Sequence, residues 1–164
     1  MDINREGWGS KEEKMEFLTD LVNNRIFMAS VTGWLVAQVL KTLIYMWFNR
    51  KFVAERLVGS GGMPSSHSST VCALVTATGF EYGGGSFPFA IAAIFAIIVM
   101  YDAMGVRRET GIQAKVLNEM MELFMHMGKE MSVEEKLKEF VGHTPLQVLM
   151  GALLGIIIAV LMYI

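Results

Sequence analysis

The chain has one cysteine, Cys72, in 164 residues. A single thiol excludes an internal disulfide, a cysteine-based zinc site and an iron–sulfur cluster, and leaves the redox compartment open. Charge is scarce too: 18% of residues are Asp, Glu, Lys or Arg, against about 25% in a soluble domain. Nor is there a basic surplus. Fourteen Lys and Arg against sixteen Asp and Glu leave a net charge of −2, which removes the uniformly basic character of a nucleic-acid binder. No cleavable signal is read at the N-terminus, because residues 1–25 are polar and acidic and the first apolar run begins after them. Internal repeats, low-complexity tracts and long linkers are also missing.

What is present is apolar. Hydrophobic residues make up 53% of the chain, 14 of them methionine, and the mean hydropathy is +0.43. Both values point toward lipid, and the length allows one domain. The expectation is an all-α polytopic membrane bundle: a single integral membrane domain over 1–164, with a polar N-terminal segment 1–25 and an amphipathic insertion at 106–140.

Four stretches approach the roughly 20 apolar residues that a helix needs to cross a bilayer. The first, Ile26 to Phe48, carries Lys41 as its one full charge. The second, about Ser66 to Phe80, and the third, Phe87 to Ala103, form a hairpin around the glycine-rich turn 81–86. Both are short, which predicts tilt, local thinning or burial in protein. The fourth, Leu146 to Ile164, has no charged residue. Between the third and fourth, Ile112, Val116, Met120, Leu123 and Met127 recur at spacings of four and three, one face of an amphipathic surface helix. Gly128 ends it, and Ser132 with Glu135 forms a capping-box pattern for a short helix, Val133 to Phe140. Lys11 to Asn24 also reads as helical.

Two spans carry polar stripes at spacings of 4, 3 and 4: Trp34, Gln38, Lys41 and Tyr45 on the first, and Ser65, Ser69, Cys72 and Thr76 on the second. Small hydroxyl residues let helices approach closely. Lys41 either snorkels or serves function, because a lysine inside a span is costly without a partner. In the fourth span, Gly151-x-x-x-Gly155 reads equally as internal packing or as a homodimer contact.

Three clusters could carry chemistry. Residues 59–70, Gly-Ser-Gly-Gly-Met-Pro-Ser-Ser-His-Ser-Ser-Thr, join a glycine-rich loop to a helix start, a place that suits an anion. The loop lacks the Gly-Lys-Ser/Thr of an ATP-binding P-loop. His67 there either protonates a leaving oxygen or hydrogen-bonds the loop. The second cluster contains Asp102, Arg107 and Arg108. Adjacent arginines at a helix start oppose the dipole, so an anion is expected to compensate them, and the arginine fork suits phosphate. The third is Gly142-His143-Thr144-Pro145, just before the fourth span. Segmentation brings all three clusters to one membrane face, whereas His126 reads as a surface residue. The set suits phosphoryl transfer better than a metal, with a zinc site on His67, His143 and Asp102 as the alternative.

The ordered motifs Gly61-Gly62-Met63-Pro64-Ser65-Ser66-His67-Ser68, Tyr101-Asp102-Ala103 with Gly105-Val106-Arg107-Arg108, and Gly142-His143-Thr144-Pro145-Leu146 resemble a known family. They match the small integral membrane proteins called acid phosphatase/vanadium-dependent haloperoxidase-related, a divergent branch of the type 2 phosphatidic acid phosphatases. The likeness runs from Trp34 to Tyr163. It implies hydrolysis of a phosphomonoester or pyrophosphate through a phosphohistidine, without metal or other cofactor. By the match His67 is the general acid, Ser65 and the Ser66 amide bind phosphate, and His143 is the nucleophile. Lys41 and Arg50 are similar to a displaced first motif, without its proline, and Arg107 and Arg108 to the phosphate-binding arginine. That arginine stands 36 and 35 residues before His143 where the superfamily has a short gap, so the amphipathic segment is an insertion. The superfamily's Asp four residues after the nucleophile is Gln147 here. Asp102 then orients His143, or the nucleophile is weakly activated, or activity is lost.

The function expected is hydrolysis of a lipid phosphomonoester such as phosphatidylglycerophosphate or phosphatidic acid, with the bilayer and the lipid phosphate as partners. A non-catalytic lipid-phosphate binder or scaffold is the alternative, and a solute pathway lined by Gln38, Lys41 and Thr76 ranks third. Basic residues gather on the site side (Arg50, Lys51, Arg56, Arg107, Arg108, Lys115, Lys129, Lys136 and Lys138), which predicts a cytoplasmic-facing site in the cell membrane. The N-terminal Arg5, Lys11, Lys14 and Arg25 lie opposite.

Overall fold

The computed structural model describes residues 11–50, 62–127, 137 and 142–164. Among them six helices form, and no strand does: α1 (Lys11–Asn23), α2 (Arg25–Asn49), α3 (Ser66–Tyr82), α4 (Phe87–Met104), α5 (Val106–His126) and α6 (Pro145–Tyr163). The helix expected over 133–140, its Gly128 stop, residues 59–61, Lys51 and Arg56 lie outside the described residues.

Local chemistry sets most helix starts. Asn24, Ser65, Ser86 and Thr144 each occupy an N-cap, their side-chain oxygens accepting from Phe27, Ser68, Phe89 and Gln147 backbone N–H groups. Each cap satisfies a donor that the helix itself leaves unpaired. Asn24 thereby separates the polar α1 from the apolar α2. Gly83, at φ +78, ends α3 and permits a left-handed turn that a side chain would strain.

Three helices are long and apolar enough to cross a membrane: α2, the α4 run and α6. At 17 residues α3 is shorter, and the structure resolves the expectation of tilt, thinning or burial in favour of burial. It packs against α2, α4 and α6. Its own surface allows this, because Ser66, Ser68, Ser69, Val71, Cys72, Ala73, Ala77 and Thr78 are buried and mostly small. Gly33 on α2 sits where an added Cβ would lie 3.1 Å from the Ser69 carbonyl and 3.2 Å from Ala73 Cβ, and Ser69 Oγ donates to the Gly33 carbonyl at 2.8 Å. On α6, a Cβ at Gly151 would collide with the Ser65 carbonyl and one at Gly155 with that of Ser69. The glycine pair is therefore an internal packing device, and the homodimer reading draws no support from it.

The outer faces are large and apolar, with Leu35, Val39, Ile91, Ile94, Phe95 and Ile157 exposed. That is the surface lipid tails cover, and the chain is an integral membrane protein. Exposed Ile112, Val116, Met120, Leu123 and Met127 mark the apolar face of α5, as the periodicity predicts. At the end remote from the candidate site, Arg25 Nη2 donates to the Met162 carbonyl at 2.7 Å. Its guanidinium also lies 4.2 Å from the Tyr163 ring centroid, and Tyr163 donates to Glu81 Oε2 at 3.1 Å. Arg25 thus caps the C-terminal carbonyls of α6 and joins the start of α2 to the ends of α3 and α6.

Candidate active site

At the other end of the bundle, the start of α3, the end of α4 and the start of α6 converge. Three backbone contacts bring them together. Ser65 N donates to the Gln147 carbonyl at 3.0 Å, and His143 N donates to the Ala103 carbonyl at 3.0 Å. Gly142, at φ +93, lies so close to the backbone of Arg107 and Arg108 that no side chain fits. The long insertion between the arginines and His143 therefore leaves and returns, and its ends meet at the site.

The two histidines face one another, with ring centroids 6.1 Å apart and planes inclined by 60°. His67 stands in the first turn of α3, and Lys41, Arg107 and Asp102 are within electrostatic reach of it. His143 is only 3% exposed, as is Lys41. The Lys41 stem runs 3.2 Å from the position a Cβ would take on Gly62, so the bared backbone of the loop lets the lysine in. Lys41 is held inside the bundle and does not snorkel.

His143 is oriented by a group whose role the sequence reading missed. Gln147 Oε1 accepts from Thr144 N at 3.0 Å and lies 3.3 Å from His143 Nδ1, while Gln147 N donates to Thr144 Oγ1 at 3.4 Å. A backbone N–H donates only to the amide oxygen, so the capping box identifies Oε1 as the atom facing the ring. Nδ1 must then carry the proton, and Nε2 holds the lone pair of the neutral ring. Burial, the largest influence, pushes the imidazole below its ordinary value of 6.5. The Gln147 bond and the Gly62 backbone oppose this, and Lys41 and His67 reinforce it. Thr144-x-x-Gln147 is the same pattern read at Ser132 and Glu135, so the signal was available.

Asp102 is engaged elsewhere. Its Oδ2 accepts from Arg107 Nε at 2.6 Å, an ion pair with one of the two arginines at the start of α5. The orienting contact on His143 comes from Gln147. Among the described residues no three His, Cys, Asp or Glu side chains converge as metal ligands would.

The remaining candidates divide. Ser65 is fully buried, and its hydroxyl accepts from Ser68 N at 3.4 Å and Ser68 Oγ at 3.0 Å. Of the N–H groups at the start of α3, those of Ser65 and Ser68 are thus engaged. Arg108 meets the site through its backbone against Gly142. Arg50 caps α2 in the left-handed region at φ 50, nine residues beyond Lys41, or about 13 Å along the axis. It is exposed and is not brought to the histidines.

The sequence pattern of the Divergent PAP2 family matches residues 22–158. A relative from Bacillus subtilis (strain 168), the uncharacterized membrane protein YuiD, is 39% identical over 152 residues, covering 87% of this chain and 96% of that protein. No solved structure matches. The matched region takes in α2 to α5, most of α6, His67, His143 and Lys41, and the chain belongs to the Divergent PAP2 family.

Proposed function

We propose that the chain is a lipid phosphate phosphatase that works through a phosphohistidine. The observation that carries this reading is the pair of imidazoles, 6.1 Å apart, beside a buried lysine at the start of two helices. Both rings can touch one small tetrahedral oxyanion there. Lys41, Arg107 and the N–H groups of Ser66 and His67 neutralise its charge. His143 Nε2 attacks phosphorus and the bond to the lipid oxygen breaks, with His67 donating a proton to that oxygen. Water then attacks the phosphohistidine as His67 takes the water proton, releasing inorganic phosphate and restoring neutral His143. His67 Nδ1 has no hydrogen-bond partner among the described residues. Lipid reaches the site from the bilayer that surrounds the bundle, and the bias of basic residues in the sequence toward the site side of the spans supports a site that faces the cytoplasm.

Phosphate release by purified protein from a panel including phosphatidylglycerophosphate and phosphatidic acid tests the reading. His67→Ala and His143→Ala should each lose nearly all turnover while remaining folded. A phosphoenzyme should be trappable in His67→Ala, given a substrate with a good leaving group, and not in His143→Ala. Orthovanadate should inhibit; loss of activity in EDTA with recovery on added zinc would refute the mechanism. The neutral Gln147, standing where the superfamily has an aspartate, favours one second reading, a non-catalytic lipid-phosphate binder. That reading predicts phosphate affinity without release.

A further inference from the structure

Buried polar side chains in this bundle are paired with few exceptions. Among the described residues, the buried side-chain nitrogen and oxygen atoms without a hydrogen-bond partner are Gln38 Oε1 and His67 Nδ1. His67 belongs to the catalytic pair; Gln38 does not. The residue is 6% exposed in the interior of a membrane protein, where an unpaired carbonyl oxygen is costly and calls for an occupant. Gln38 lies on the buried side of α2 with Lys41 and Thr42. It precedes Lys41 by three residues, about 4.5 Å along the helix toward the middle of the membrane. The Ser69 to Gly33 bond sets the register of the antiparallel α2 and α3, and this register puts Gln38 level with Ser65, where α3 begins.

We infer that Gln38 is a specificity-determining residue, whose Oε1 accepts a hydrogen bond from a free hydroxyl on the alcohol part of the substrate. This rests on the phosphatase reading of the site. Lys41 holds the phosphate at the outer level, so the alcohol part, which continues into the lipid, extends inward past the next turn of α2. An acceptor there selects a donor. The favoured substrate class is therefore a lipid phosphomonoester with a hydroxyl on the carbon next to the phosphate-bearing one, as in a glycerol phosphate headgroup. Fully acylated phosphatidic acid has no such donor and leaves Gln38 unpaired.

A matched pair of substrates isolates the contact: 1-acylglycerol 3-phosphate and its 2-deoxy analogue, which differ by that hydroxyl alone. Wild-type protein should prefer the hydroxylated compound by about tenfold in kcat/KM, the effect of one buried hydrogen bond. Gln38→Met, apolar and of similar volume, should bring the ratio to about one. Gln38→Glu keeps an acceptor and should retain the preference, which a purely structural role for Gln38 would not produce. A wild-type ratio near one, or the same ratio in wild type and Gln38→Met, overturns the inference and leaves water as the occupant. Titration with the non-hydrolysable phosphonates of both compounds separates the two readings. If neither compound is hydrolysed, a hydroxyl-dependent affinity that Gln38→Met removes still supports the role of Gln38. Equal affinities overturn it.

Discussion

His143 joins helix capping to proton chemistry. Gln147 closes the N-terminal cap of α6 and in the same position holds Nδ1–H, so the residue that starts the helix also selects the tautomer. A neutral amide adds no charge, and burial keeps the imidazole below 6.5. The neutral, attacking form therefore persists below pH 6.5, and the acidic limb of kcat/KM, which reports the free enzyme, should lie there. Gln147→Glu preserves the capping box and adds an anion that favours the imidazolium. It should move that limb upward by about one unit relative to wild type on the same substrate, and an unmoved limb would separate Gln147 from His143. Stability follows the same sign. The unfolded chain binds the proton more readily than the folded one, so stability is full above pH 6.5 and declines as pH falls below it. The melting temperature in detergent should drop between about pH 7 and pH 5, and less steeply in His143→Gln. His126, exposed on α5, should be replaceable by Ala without effect on turnover.

At the scale of elements, α3 works as a central post because three helices press against its small residues. Gly151 and Gly155 bring α6 onto the carbonyls of Ser65 and Ser69, a separation that even one methyl group obstructs. Gly155→Ala should lower stability by about 1–3 kcal/mol, the range for overpacking a close contact. Thermal unfolding in detergent reads the loss, with Gly84→Ala, where nothing lies within 4 Å of the added Cβ, as an unaffected control. Gly151→Ala should also reduce turnover, since the same contact seats Ser65 and the start of α3 beside His143. Stability equal to wild type in Gly155→Ala would show that α6 is free to move off α3.

For the whole molecule, the site and the Arg25–Tyr163–Glu81 cluster mark opposite ends of the bundle, with the 81–86 turn at the second. Single cysteines at Gly84 and at His126, each in a Cys72→Ser background, report which end faces out. With the site in the cytoplasm, an impermeant maleimide applied to intact cells should label position 84 and spare position 126. The reverse pattern would turn the site outward and favour a substrate presented on the outer leaflet.

The number and limits of the apolar helices, the amphipathic face of α5 and the glycine turn of the hairpin were legible in the chain itself. They rest on periodicity, length and capping, which act over a few residues. The candidate histidines and Lys41 were legible too, as rare polar groups at or within apolar segments. What tertiary structure decided was which of several local possibilities each residue takes. Gly151 and Gly155 had two uses until α3 was packed against them. Asp102 had a choice of partners, and α5 brings it Arg107. Gln38 read as part of a lining stripe, and burial without a partner sets it apart. These outcomes depend on contacts between segments far apart in sequence. A local pattern lists the partners a side chain can take, and the packing of helices selects the one it has.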